Sequence, residues 1–280
     1  MTTGIPTIDY FITFDAEIAA AEAHYTEQLL RLPGLLPYQN PVPLGPGLDI
    51  LRALHRPTAS AELARRRREH GLPPPGMPVF LCIQAPYKYH PTFDAAVRRI
   101  LQAIPTAIFA LLRGKARHWT DTLLRRFNST LGLEFAARVL VLPRIASPQM
   151  PGLLALADVV LDTWPYGGGV TSFEALSVGR PLVTLAHSLL PGRFTYAFYF
   201  KMGFLDCVAF DQDEYVAIAV ALGSNSSMRA AASHRILATV DVLFDDQVAR
   251  IALEEHLHEA LARLGEATHQ SPGDGLRILE

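Results

Sequence analysis

The stretch VVLDTWPYGGGVTSFE, Val159 to Glu174, passes from an all-apolar run through three consecutive glycines into a segment with helical spacing. It reads as a strand, a tight turn and a helix. Glycines without Cβ let backbone N–H groups approach an anion closely, and a helix start adds unpaired donors and about half a positive charge. Gly168 and Gly169 fall in that turn, with Val170 directly after them. Thr171 and Ser172 are expected at the N-cap, where their hydroxyls can also donate to a phosphate. Glu174, three residues past Thr171, either completes a capping box or accepts hydrogen bonds from ribose hydroxyls. The pattern is neither GxGxxG nor GxxxxGK[ST], which argues against an NAD-type oxidoreductase and against an ATP site.

Working outward, short apolar runs recur at Val79–Ile83, Ala107–Leu112, Val139–Leu142, Leu182–Leu185 and Cys207–Ala209. Between them lie helical segments at Thr92–Ile104, Ala116–Leu131, Gln149–Ala157, Thr171–Val178 and Arg193–Met202. Strands that are apolar throughout are buried on both faces, and strict alternation with helices implies right-handed crossovers. The predicted fold class is α/β, a Rossmann-like parallel sheet over residues 78–210 with helical flanking segments. Three helices are expected in the tail, at Asp211–Leu222, Ser227–Val242 and Asp245–Leu264, so that 211–266 is helical and 267–280 frays.

The first 77 residues read differently. Ala16–Leu32 has apolar residues at helical intervals, with Asp15 as N-cap and Pro33-Gly34 as stop. Pro37–Gly47, rich in proline and glycine, suits an extended connector. The run Arg65–Arg68 is flanked by Glu62 and Glu69 and reads as a solvated helical face rather than a phosphate patch.

In an open parallel sheet, ligands sit at the carboxyl ends of the strands, near the point where strand order reverses. Besides the glycine turn, two further post-strand loops carry candidate residues. In QAPYKYHP, Gln84–Pro91, Lys88 can place a point charge on a diphosphate, and His90 reads as a turn residue. In VLPRIASPQ, Val141–Gln149, Arg144 and the backbone at Ile145 can flank a base or phosphate. His187 and Arg193 bracket a further loop, and Asp158 and Asp162 are expected to cap backbone groups.

Of the 280 residues, 50% are hydrophobic and 19% charged, and the formal net charge is −2. That excludes wholesale disorder and gives no global basic field for nucleic acid or an anionic membrane. Two cysteines, Cys82 and Cys207, make no disulfide framework and no metal-ligand spacing, which suits a reducing, cytoplasmic setting. Neither a signal peptide nor a membrane-spanning run is expected.

LADVVLDTWPYGGGVTSFEALSVGRPLVTL, Leu156–Leu185, resembles the nucleotide-sugar-binding segment of the O-linked N-acetylglucosamine transferase family, in particular its SPINDLY-like bacterial members. The likeness extends to VFLCIQAPYKYHP, VLPR and RFTYAFYFKMG, and to TTGIPTIDYFI and AHYTEQLLRLPG near the start. It implies the carboxyl-terminal half of a GT-B fold, with residues 1–77 as the end of an amino-terminal catalytic lobe and linker. It also implies a UDP-sugar donor, no metal or other cofactor, and transfer of GlcNAc to a protein Ser or Thr hydroxyl. By this resemblance Lys88 is the catalytic candidate, contacting the diphosphate. Thr171 marks the phosphate-facing helix start, and Glu174 is the ribose ligand. The chain departs from the family pattern at Gly169, Val170, Ala85 and Met150. Because most of the first lobe is not in the sequence, the expectation is a donor-binding half that is incomplete for transfer alone, working with a partner lobe or self-associating. The alternative is a non-catalytic remnant acting as a binding or interaction module.

Overall fold

The computed structural model describes residues 2–34, 40 and 59–269. The connector expected at Pro37–Gly47, apart from Asn40, and the residues 270–280 of the expected frayed end lie outside the described residues.

The segment read as a helix from Ala16 to Leu32 is not one. Strand β1 (Tyr10–Phe14) pairs in parallel with β2 (Gln28–Leu32), and only a single 3₁₀ turn, Ala21–His24, lies between them. The leucines that matched helical spacing belong to β2, where Leu32 is fully buried. Nor does Asp15 cap a helix; its carboxylate receives the backbone N–H of Gly34. Long-range pairing with the β-branched and aromatic residues of β1 overrides the local period. This small sheet is tied to the rest of the chain by stacking of Phe14 on Phe194, ring centroids 5.5 Å apart, and by donation from Arg193 Nε to the Ala16 carbonyl.

Helix α1 (Ala59–Glu69) carries the arginine run, and here too the expectation needs correcting. Arg65 and Arg66 do pair with Glu62 on the helix surface, but Arg67 points inward and is 1% exposed. Its Nη2 lies 2.7 Å from Asp158 Oδ2, and its Nε donates to the Leu156 carbonyl.

The main sheet has six parallel strands: β3 (Val79–Cys82), β4 (Ile108–Leu112), β5 (Val139–Leu142), β6 (Val159–Leu161), β7 (Leu182–Leu185) and β8 (Val208–Ala209). Their order is β5-β4-β3-β6-β7-β8, with Phe80 opposite both Phe109 and Val159. Every residue of β3, β6 and β7 is buried, as expected for strands covered on both faces. The crossovers are α2 (Pro91–Ala103), α3 (Arg117–Thr130) with the short α4 (Leu133–Ala136), α5 (Met150–Leu154), α6 (Val170–Ser177) and α7 (Phe194–Met202). In the tail follow α8 (Gln212–Ser224), α9 (Ser226–Thr239) and α10 (Val248–His269), the last packing back against β2. Among the described residues no helix is long and apolar enough to cross a membrane.

Aromatic rings fill the layer between the sheet and α2, α3 and α8. Phe93 lies 5.0 Å from Trp164 and 6.2 Å from Phe109, and Trp164 lies 4.8 Å from Tyr215. Strand order reverses between β3 and β6, which puts a crevice between the loops that follow those two strands.

Candidate functional site

The loop after β3 and the turn after β6 meet across this crevice. Lys88 closes the 3₁₀ turn Pro86–Lys88, and its Nζ donates to the Gly167 carbonyl at 2.9 Å and to Gln84 Oε1 at 3.1 Å. Gln84, 5% exposed, turns its Nε2 to Thr171 Oγ1 at 2.9 Å. The ammonium also lies 4.3 Å from the centre of the half-exposed Tyr166 ring. Burial pulls the Lys88 pKa down, and the nearby Asp162 carboxylate opposes that shift. Gln84, Lys88, Gly168 and Thr171 thus form one cluster.

Beneath the turn, Asp162 is the anchor. Its Oδ1 receives the N–H of Gly168 at 2.7 Å and of Thr163 at 3.0 Å. Its Oδ2 receives the hydroxyls of Thr195 at 2.7 Å and Thr184 at 3.0 Å. Burial raises the Asp162 pKa; the hydrogen bonds from Thr195, Gly168 and Thr184 and the Lys88 charge work against it. The expected role as a backbone cap is met, but the side-chain braces from α7 and β7 were not foreseen. The turn is tightly packed around Gly168. A Cβ there would lie 2.4 Å from Ser172 Oγ, 2.6 Å from Gln84 Nε2 and 2.8 Å from Thr171 Oγ1.

The helix start differs from expectation. Gly169, not Thr171 or Ser172, is the N-cap of α6, and no side chain caps it. Ser172 is buried and pairs with Thr195 Oγ1 at 2.7 Å, so it braces the turn from within. Thr171 is left facing Gln84, while Val170 exposes 59% of its surface at the first turn. The capping box is not formed: the Glu174 carboxylate makes no hydrogen bond among the described residues, and burial alone pushes its pKa up to about 7.

Arg144 and Ile145 do not join the lysine cluster. They line an adjoining cleft of about 360 Å³ at the ends of β3, β4 and β5, which Gln84 borders as well. Tyr87, Arg113, Lys115 and Trp119 also line this cleft, with Tyr87 and Trp119 in edge contact at 5.4 Å. The sequence reading missed these four, although Arg113 and Lys115 follow a strand directly and the same strand-end rule applied to them. His90 is the N-cap of α2, accepting from the Thr92 N–H. Arg193 spends its guanidinium on the Ala16 and His187 carbonyls. Among the described residues no group of three or more His, Cys, Asp or Glu could hold a metal ion.

The chain is similar in sequence and fold to known proteins. The probable UDP-N-acetylglucosamine–peptide N-acetylglucosaminyltransferase SPINDLY of Arabidopsis thaliana is 31% identical over 230 residues, which is 80% of this chain and 23% of the plant protein. The chain therefore spans less than a quarter of that relative's length. Among solved structures, a mutant O-GlcNAc transferase from Thermobaculum terrenum superposes with a TM-score of 0.71 at 27% identity, covering 94% of this chain and 46% of that one. The Anabaena protein HepE, solved with UDP and glucose, shares the fold with a TM-score of 0.52 at 17% identity, over 84% of this chain and 57% of that one. The six-stranded sheet with its helices is thus the carboxyl-terminal half of a GT-B fold. The sequence profile of glycosyl transferase family 41 matches residues 55–248, and the chain belongs to that family.

Proposed function

We propose that this chain is the donor-binding half of a UDP-sugar-dependent glycosyltransferase. The observation that carries this reading is the convergence of Lys88, Gln84 and Thr171 on the glycine turn at the switch point. The diphosphate sits over Gly168, Gly169 and Thr171, taking the Lys88 ammonium in place of the Gly167 carbonyl. Ser172 holds the turn from below. Negative charge that develops on departing UDP meets the lysine and the unpaired N–H groups of α6, which are in place before reaction and need no metal beside them. Glu174 accepts the ribose hydroxyls, and Arg144 and Ile145 flank the base in the adjoining cleft. By resemblance the sugar is GlcNAc and the acceptor a protein hydroxyl. The acceptor contacts and the base come from a second lobe, supplied by more of the same polypeptide or by a partner. The two buried, unpaired cysteines support a cytoplasmic location.

Calorimetric titration with UDP, with UMP, GDP and NAD as controls, tests the reading. UDP binds selectively, and Lys88→Ala weakens it at least about tenfold, the loss of one charge-assisted contact worth about 1.5–3 kcal/mol. Unchanged affinity in that variant would remove Lys88 from the site.

A pH dependence follows from Glu174. With its pKa near 7, part of the population is protonated at pH 6.5, whereas ribose hydroxyls donate to the ionised form. Binding of UDP at pH 6.5 therefore releases a fraction of a proton from this group, and affinity rises toward pH 8. Titrations in buffers of different ionisation enthalpy read that release. Glu174→Gln removes its contribution, and proton release identical in both proteins would clear Glu174 of the role.

A second reading is favoured by one observation: Val170 presents an apolar side chain where the anion would lie. On that reading the chain is a remnant that binds or interacts without catalysis. Release of UDP from UDP-GlcNAc in the presence of an acceptor protein decides against it.

A further inference from the structure

One peptide group in the glycine turn joins a cation to an anion. The Gly167 carbonyl accepts from Lys88 Nζ at 2.9 Å, and the N–H of the same peptide, on Gly168, donates to Asp162 Oδ1 at 2.7 Å. Lys88 and Asp162 thus pull on opposite ends of a single dipole. A Cβ on Gly167 would lie 2.9 Å from Asp162 Oδ2, so the absence of a side chain there lets the peptide close onto the carboxylate. Asp162 is 1% exposed, and it also receives the Thr163 N–H and the hydroxyls of Thr184 and Thr195. Because Thr195 gives its one hydroxyl proton to Asp162, Ser172 donates to Thr195, which carries the network into the first turn of α6. Four donors therefore face the side chain, and the form they match is the ionised carboxylate, which only accepts.

Lys88 also faces Gln84, which is neutral, the Tyr166 ring and the Cys82 thiol, whose pKa burial pushes up to about 12. Asp162 is therefore the anion that the ammonium feels, and its charge works against the burial that favours loss of the lysine proton. We infer that Asp162 is a positioning residue of the crevice: through the Gly167–Gly168 peptide it holds Lys88 charged and the glycine turn in register until a diphosphate takes the ammonium. This role presupposes the donor site proposed for the crevice. It gives Asp162 no contact with the ligand. A diphosphate over the turn replaces the Gly167 carbonyl as the partner of Lys88, while the carboxylate stays beneath.

The sequence has three lysines, Lys88, Lys115 and Lys201, so carbon-13 labelling of lysine gives three side-chain NMR signals, and Lys88→Ala assigns one of them. Asp162→Asn keeps the shape of the side chain and loses its charge. In that variant the Lys88 signal titrates at lower pH than in wild type, and UDP binds about 3–10-fold more weakly at pH 7.5. Thr184→Val removes one hydrogen bond from the same carboxylate but keeps its charge, and there the Lys88 midpoint stays in place. A midpoint that Asp162→Asn leaves unmoved, or that Thr184→Val moves as far, overturns the inference. Should Asp162→Asn not fold, wild type alone decides: the nitrogen shift of Gly168 follows the Lys88 midpoint, and a Gly168 nitrogen indifferent to it overturns the link through the peptide. The UDP titration separates this role from the donor site itself. A displaced midpoint in a protein whose wild type ignores UDP removes the donor site and keeps the link between Asp162 and Lys88. An unmoved midpoint in a protein whose wild type binds UDP removes the link alone.

Discussion

Gly168→Ala is expected to weaken UDP binding about 5–150-fold while leaving the chain folded. The backbone at Gly168 is not in the left-handed region, so alanine is conformationally allowed there. The added methyl group instead meets three polar atoms of the site at once, on Ser172, Gln84 and Thr171. Overpacking of this kind costs about 1–3 kcal/mol, and here the strain falls on the residues that hold the ligand. Relief requires Gln84 to swing away from Thr171, which also releases its carbonyl from Lys88. Calorimetric titration beside a thermal melt checks the result. A normal melt with lost affinity locates the ligand over the turn, whereas unchanged affinity moves the diphosphate elsewhere.

Asp158→Ala is expected to be the most destabilising single change away from the site, by about 3–5 kcal/mol. It strands Arg67, 1% exposed, without its anion, and takes the carboxylate from Arg229 as well. The Val79 N–H, which starts β3, loses its acceptor as well. Urea unfolding reads this directly. Asp213→Ala is the contrast, because its pair with Arg99 is open to solvent on both sides and is worth less than about 1 kcal/mol. Equal effects in the two variants would mean that burial does not set the strength of the Asp158 pair.

From Val79 to Ala209 the secondary structure was legible almost residue by residue. Strands buried on both faces are apolar throughout, and such runs bounded by helices have few other readings. The short α4 escaped notice because it is one turn long, set off by Gly132 at φ +87°. The amino-terminal segment misled for a different reason: its leucines suit a helix, and only pairing with β1 makes them a strand.

In the site, Gln84 and Lys88 were legible because they lie in the loop that follows a strand, and Thr171 because it follows the glycine turn at a helix start. The braces on Asp162 were not, since Thr184 and Thr195 follow it by 22 and 33 residues and carry no local pattern. Arg67 shows the same limit. A run of four arginines between glutamates reads as surface, and only the position of Asp158, 91 residues on, draws one of them inside.

The order of the strands also bears on how the protein folds. β3 pairs with β4 early along the chain, but its other neighbour, β6, comes from much further on. The contact between Lys88 and Gly167 spans 79 residues, and that between Gln84 and Thr171 spans 87. Closing loops of that length makes for slow, topology-limited folding. On a ribosome, the first half of the crevice would emerge with its lysine and glutamine unmatched. The two sides can join only after β6 and the glycine turn have been synthesised, so the crevice cannot be completed before more than half of the chain has emerged.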